Sequence, residues 1–232
     1  MSEQVFYCAG QTEALAHSVK YLQENKVRFA ERPDKTVTHL LLDVPCQNIG
    51  QLPQLLAMLP ENVTVMGGNL PPDCNGIDLL QDPYYLSENA KITAHCAVKL
   101  ALSLLPVTLD HCPVLILGWG RIGKCLAKLL KQIGASVTVA ARKETDRAML
   151  TALGYDTLDF SQICKCNPRV VFNTVPSPVA NSDIFSPECL KLELASSPGI
   201  TGSDVVDARR LPGRYAPESS GALIARSILR LC

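Results

Sequence analysis

Val114-Leu115-Ile116-Leu117-Gly118-Trp119-Gly120-Arg121-Ile122-Gly123 is an apolar run that breaks into a G-x-G-x-x-G spacing and continues as an amphipathic helical pattern. A strand that feeds a glycine turn and then a helix is the phosphate-binding corner of a dinucleotide fold. Gly118 permits the tight turn, Gly120 lets the backbone approach a pyrophosphate, and Gly123 lets the helix pack close to the strand. The pyrophosphate is expected on the free N–H groups and the positive dipole end of that helix. The phosphate-side residues are therefore Gly118, Trp119, Gly120, Arg121, Ile122 and Gly123. Glycine triplets at this spacing also occur in plain turns. The strand before and the helix after decide for nucleotide. Trp119 is bulky enough to raise the question of a blocked loop, unless its side chain points away from the phosphates.

Beyond the loop, Ile122, Leu126, Leu129, Leu130 and Ile133 recur at helical spacing, and Gly134 supplies the stop. Ser136-Val137-Thr138-Val139-Ala140 is the next strand, and its end is the most informative place in the chain. A fold that prefers NAD carries Asp or Glu about 20 residues beyond the glycines, to accept from the ribose 2′-OH. Here that place reads Ala141-Arg142-Lys143, with no carboxylate before Glu144. A guanidinium and an ammonium suit a 2′-phosphate. Arg142 and Lys143 thus point to NADP(H) over NAD(H), against the alternative of a solvated basic turn. Arg169 to Pro176 reads as a strand that ends in a polar turn after the switch point, so Thr174, Val175 and Pro176 should line the cofactor cleft. Leu190 to Ala195 is another strand. Its loop, Ser196-Ser197-Pro198-Gly199, should lie at the nicotinamide end, where the serines either touch ring or substrate or cap the turn. Arg209, Arg210 and Arg214 surround Leu211-Pro212-Gly213. Pro217 begins a last helix to about residue 230, with Glu218 in its first turn.

The first part of the chain also alternates strands and short helices. Val5-Phe6-Tyr7-Cys8-Ala9 reads as a strand. Thr12 caps a helix with Leu15, Val19 and Leu22 on one face. Val27-Arg28-Phe29-Ala30 is a short strand, and Thr38 to Val44 a nearly continuous apolar one, as suits burial on both faces. Leu52 to Leu59 reads as a short helix, Val63-Thr64-Val65-Met66 as a strand closed by Gly67-Gly68, and Ile77 to Leu80 as a fifth strand. Gly67-Gly68-Asn69 is a turn rather than a second phosphate loop, since no helix opens promptly after it. Between the two parts, Glu88 to Leu105 is a helix apolar on most faces, hence buried on most faces. It is expected to carry a hinge between domains that bind ligand between them. Ser87 or Asn89 is its expected cap, while Thr93 either caps or faces the cleft.

The predicted class is α/β in two domains: a small parallel N-terminal domain over residues 1–87, the connecting helix over 88–105, and a doubly wound Rossmann domain over 106–232. With 232 residues, 47% of them hydrophobic, a packed core is available. The formal net charge is zero, so no field of one sign holds nucleic acid or an anionic membrane. Of the ten cysteines, Cys8, Cys96 and Cys125 lie inside apolar segments, where free cysteine behaves as a small hydrophobe. Cys164 and Cys166 form the only close pair, and no second pair or histidine stands at zinc spacing, so no metal site is expected. Met1-Ser2-Glu3-Gln4-Val5 lacks a basic region followed by a long apolar stretch, and no apolar run has the length of a membrane span. A reduced, cytoplasmic protein is the expectation.

Together these segments resemble the family of the dipicolinate synthase A subunit, within the wider group of formate/glycerate-type dehydrogenases. The resemblance is carried by the Glu88–Leu105 connector, Leu117 to Gly123, Gly134-Ala135 with Val137 to Arg142, Asn173-Thr174-Val175-Pro176-Ser177, Leu194 to Gly199, and Leu211-Pro212-Gly213 with Ala216-Pro217. It covers about residues 85–232, while the first domain matches only in general layout. The resemblance implies a pyridine-nucleotide oxidoreductase of dipicolinate formation and sporulation. Such a protein acts on a dihydrodipicolinate-like precursor, usually with a second, flavoprotein-like B subunit. The family loop typically reads Ala-Ser-Arg-Pro-Gly-Gly, whereas this chain has Ser197 for the Arg and Ile200 for the second Gly. Arg214 is a possible replacement as a clamp for a substrate carboxylate. The stretch from Gly199 to Leu211 is shorter than in the family, so a terminal strand is expected to be lost or abbreviated.

Two functions compete. One is an NADP-dependent oxidoreductase on a small carboxylated substrate, with Ser196, Ser197, Arg214 and Thr93 as candidate substrate-side groups and no identified acid or base. The other is a catalytically silent NADP-binding subunit or sensor, favoured by the altered serine loop. A homodimer is expected by analogy with extended two-domain proteins.

Overall fold

The structure is a computed structural model and describes residues 4–46, 49–72 and 74–232. The opening residues 1–3, on which the expectation about a leader rests, lie outside these. The chain divides into two compact units, Met1–Asn89 with Pro212–Cys232, and Ala90–Leu211.

The first unit contains β1 (Val5–Cys8), α1 (Glu13–Glu24), β2 (Arg28–Phe29), β3 (His39–Leu41), α2 (Leu52–Leu56), β4 (Thr64–Gly67) and β5 (Gly76–Asp78). Its sheet runs β2-β1-β3-β4-β5 with every pair parallel, one of the two common doubly wound orders. Thr12 caps α1 by accepting from Leu15 N–H, and Leu15 and Leu22 turn inward. The apolar run around β3 is longer than the strand. Leu42, just past the strand, remains buried and its N–H still donates to Met66 O of β4 at 2.8 Å, and the next residue, Asp43, carries a buried carboxylate. That carboxylate, 7% exposed, accepts from Gln11 N–H, Thr12 N–H and Thr12 Oγ1. It ties the start of α1 to the end of β3. The residues expected to form the end of a fifth strand instead form a 3-10 turn, Leu79–Gln81, because the Asp78 side chain caps it through Leu80 N–H.

α3 spans Pro83–Leu104 and contains the boundary between the units. It starts earlier than the sequence indicated. Asp82 accepts from Tyr85 N–H at 2.9 Å, so Asp82, not Ser87 or Asn89, caps it. Pro83 suits the first helical position.

The second unit contains β6 (Pro113–Leu117), α4 (Arg121–Gln132), β7 (Ser136–Ala140), α5 (Glu144–Ala152), β8 (Asp156–Leu158), β9 (Val170–Asn173), β10 (Ala180–Asn181), β11 (Leu190–Glu193), β12 (Ile200–Thr201) and β13 (Val205–Asp207). Its six-stranded sheet has the order β13-β11-β9-β6-β7-β8, all parallel. Counted within the unit this is the Rossmann arrangement of two halves diverging from a switch point between β6 and β9. Both central strands are buried on both faces: Val114 to Leu117 and Val170 to Asn173. One face packs Leu115, Leu117, Val171, Ile163, Phe185 and Ile200 into a single cluster. The terminal strand, expected to be lost or abbreviated, is present as three-residue β13.

A short α6 (Leu211–Tyr215) follows, then α7 (Pro217–Leu231). Here the domain boundary differs from the expected one. Residues 212–232 belong to the first unit, not to the Rossmann domain. The reason is visible at Gly221. A Cβ there would lie 2.6 Å from His17 Cβ and 2.9 Å from Ser18 N, so α7 sits against α1 with backbones in near contact. Arg230 adds an ion pair to Asp82.

Candidate cofactor site

The glycine corner is built from β6, its turn and α4. Gly118 has φ +101°, a conformation that side chains rarely adopt. A Cβ there would sit 2.7 Å from Thr174 Oγ1 and 2.8 Å from Val175 Cγ2. A Cβ on Gly123 would overlap the Gly118 carbonyl oxygen, so the first turn of α4 lies directly on the loop. At Gly120 the situation reverses: nothing lies within 4 Å of a Cβ. Gly120 caps α4 without any side-chain hydrogen bond, so no side chain takes up the start of the helix beside that open space. A pyrophosphate fits such a place, since it accepts from N–H groups and favours the positive end of the dipole. Trp119 does not fill that space. Its ring packs on Tyr155, 6.0 Å between centroids, with Lys124 Nζ 5.8 Å away. Arg121 is exposed and Ile122 half-buried.

Arg142 and Lys143 stand exposed where β7 ends. The segment is held by Arg147, whose Nη1 donates to the carbonyls of Ala141 and Arg142 at 2.7 and 2.8 Å. Arg147 also pairs with Asp159 at 3.0 Å. Hydrogen bonds from Ser161, with the guanidinium behind them, hold the Asp159 carboxyl below its usual range. That carboxylate is therefore committed to the loop's own architecture.

On the other side of the switch point, Thr174 is half-buried and its hydroxyl donates to Leu117 O at 2.8 Å. Val175 is half-buried beside it and Pro176 is exposed. The group that sequence reasoning misses is Glu193, the last residue of β11 and 4% exposed. Its two oxygens accept from Asn173 Nδ2 at 2.8 and 2.9 Å, and from the N–H groups of Ala195, Gly199 and Ile200. The available signal is a carboxylate inside an otherwise apolar strand; buried charges are rare unless held. Lys191 on the same strand, 1% exposed, is held by Asp204 at 2.6 Å.

Ser196 and Ser197 are exposed at the carboxyl end of β11, immediately beyond Glu193. Thr93 is a buried residue of α3, well inside the helix, and so does not cap it. Arg214 belongs to the first unit, exposed, with its guanidinium 5.6 Å from the Tyr215 ring. The serines and Arg214 thus belong to different units. A cavity of about 440 Å³ lies at the opposite, amino end of β6, β9 and β11, among Cys112, Arg169, Glu188 and Cys189. Arg169 is paired there with Glu188, and burial pushes the Cys189 thiol up to about 11. Ligands of open α/β sheets gather at the carboxyl ends of strands, so this cavity is not the nucleotide site. None of the ten cysteines is joined in a disulfide. Among the described residues, no group of three or more His, Cys, Asp or Glu is arranged to hold a metal ion, and no helix is long and apolar enough to cross a membrane.

Fold and glycine corner define a class: a Rossmann-type unit for a nicotinamide dinucleotide, joined in one chain to a second parallel α/β unit. Residues 85–194 match the family model of the D-isomer specific 2-hydroxyacid dehydrogenase NAD binding domain. Within that class the chain is similar to the A subunit of dipicolinate synthase, in sequence as well as in fold. It is 31% identical to the Bacillus subtilis (strain 168) protein over 157 residues, 62% of this chain and 52% of the relative. The matched stretch thus spans about half the length of that curated relative. The crystal structure of the Bacillus halodurans dipicolinate synthase protein superposes with a TM-score of 0.85 at 19% identity, covering 100% of this chain and 98% of that one. For the crystal structure of the Bacillus subtilis protein the values are 0.83 and 20%, covering 100% and 96%.

Proposed function

We propose that the chain is an NADP(H)-dependent oxidoreductase acting on a small carboxylated, dihydrodipicolinate-like substrate. The observation that carries the cofactor choice is the exposed Arg142-Lys143 pair at the end of β7, the place where a ribose-binding carboxylate would favour NAD. The substrate class follows the similarity to dipicolinate synthase. The hydride chemistry belongs to the cofactor. The chain's own residues hold it: the amides opened by Gly120 take the pyrophosphate, Arg142 and Lys143 the 2′-phosphate, and the exposed Ser196 and Ser197 offer hydroxyls towards substrate. Its proposed partners are a second copy of the chain and a flavoprotein-like B subunit.

A second reading, a silent NADP-binding subunit or sensor, is favoured by Ser197, which replaces the arginine expected of the resemblance. Titration with NADPH and NADH decides the cofactor. NADPH should bind tighter, and Arg142→Ala should cost about tenfold to a hundredfold of NADPH affinity, the worth of a charge-assisted bond. Equal affinities in the intact protein sink the NADP assignment. Binding without turnover on cyclic dicarboxylic imines, alone and with a B subunit, selects the second reading.

A further inference from the structure

We infer that Glu193 is the positioning residue of the nicotinamide half of the site, a reading that rests on the cofactor proposed above. Glu193 is 4% exposed, and its neighbour on the same strand face, Lys191, is spent on Asp204 and the Ser186 carbonyl. Among the described residues, no cation is hydrogen-bonded to the Glu193 carboxylate. Burying a carboxylate is costly. The Arg209 guanidinium acts on it through space, and five hydrogen bonds from N–H groups hold it directly.

Those five bonds have a pattern. Two come from the Asn173 amide at the end of β9, and three from backbone N–H groups of residues 195, 199 and 200 beyond β11. Asn173 in turn accepts from Val175 N–H at 3.1 Å and donates to Val175 O at 3.0 Å. The loop beyond β11 is pressed onto the turn beyond β9 at Gly199, where a Cβ would lie 2.8 Å from Ser177 O. One carboxylate therefore fixes both turns that border the site on the β9–β11 side. In a sheet of this order, each half binds one mononucleotide. The β6–β7 half carries Gly120 and Arg142 and takes the adenosine phosphates. The β9–β11 half, which Glu193 organises, takes the nicotinamide.

Glu193→Gln keeps the shape but puts an amide donor where one oxygen accepts, against N–H groups that also donate. The two loops should loosen and the adenosine half should stay as it is. The test compares two ligands of the full chain: NADPH, and 2′-phospho-ADP-ribose, which lacks the nicotinamide. We expect E193Q to lose about tenfold or more for NADPH, with a change under about twofold for 2′-phospho-ADP-ribose. Hydrogen exchange should speed up at the amides of Ala195, Gly199 and Ile200. Glu193→Asp, which keeps the charge, should recover part of the NADPH affinity. If E193Q does not fold, Asn173→Ser removes the amide's bonds to Glu193 and Val175, keeps the three backbone bonds to the carboxylate, and is read by the same two titrations. Equal losses for both ligands, or no loss for either, overturn the inference while leaving the cofactor reading intact. An intact chain that binds neither ligand overturns the cofactor reading and this inference with it.

Discussion

Thr174 and Leu117 are joined twice: the backbone N–H and the side-chain hydroxyl of Thr174 both donate to the Leu117 carbonyl, at 2.9 and 2.8 Å. The first bond continues the β6–β9 ladder by one residue, and the second turns the threonine side chain beneath Gly118. The glycine turn is thereby fastened from the far side of the switch point. Thr174→Val keeps the bulk and loses the hydroxyl bond. It should lower stability by about 1 kcal/mol, read by urea denaturation, and weaken NADPH binding severalfold. An unchanged affinity would show that the turn holds its shape without this clasp.

Gly120 and Gly123 separate binding from folding. At Gly120 a methyl group meets nothing, so Gly120→Ala should leave the melting temperature within a degree or two and reduce dinucleotide affinity. At Gly123 the same methyl overlaps the Gly118 carbonyl. Gly123→Ala should then cost about 1–3 kcal/mol, as overpacking does. Thermal melts paired with NADPH titrations check both variants. A Gly120→Ala chain that binds as the parent does would move the pyrophosphate elsewhere.

The acid limb of stability carries a signature of His39. The ring stacks on Phe6, 4.5 Å between centroids, and Nδ1 lies 2.8 Å from Thr38 Oγ1. Burial holds its imidazole below the ordinary 6.5, so the folded protein favours the neutral ring. The unfolded chain takes up this proton first as pH falls. Stability from this group is whole above pH 6.5 and is lost as pH drops through the interval down to the depressed folded value. The Asp34, Asp159 and Asp204 carboxyls are held below 3.8 chiefly by hydrogen bonds from Thr36, Ser161 and Lys191, so their share is lost only at lower pH. His39→Phe keeps the stack and should flatten the upper part of the acid limb in urea titrations between about pH 7 and pH 5.

What the sequence revealed follows from what periodicity records. The glycine corner, the α4 face with Leu126 and Leu130, and the basic end of β7 are local patterns, and a local pattern is complete within about a dozen residues. α5 and β8 went unread because their burial is slight: only Leu150 of α5 is buried, so no apolar stripe marks the helix. Glu193 was hidden for a different reason. Its partners, Asn173 and the 195–200 backbone, are brought to it by strand register, with Asn173 directly opposite in the β9–β11 pairing, and no spacing along the chain encodes that.

The terminal helix shows the same lesson in a testable form. By order in the chain, α7 follows the last strand of the Rossmann sheet, yet Gly221 and the buried hydroxyls of Ser18 and Ser220 lie at the α1–α7 contact. Close approach there depends on the missing side chain. Gly221→Ala sets a methyl 2.6 Å from His17 Cβ, so the helices must part, at about 1–3 kcal/mol. The melting temperature should fall by several degrees. In native-state hydrogen exchange, the amides of α7 should lose protection together with those of α1, while those of β6 and α4 keep theirs. Loss of protection confined to β6 and α4 would return the helix to the Rossmann unit.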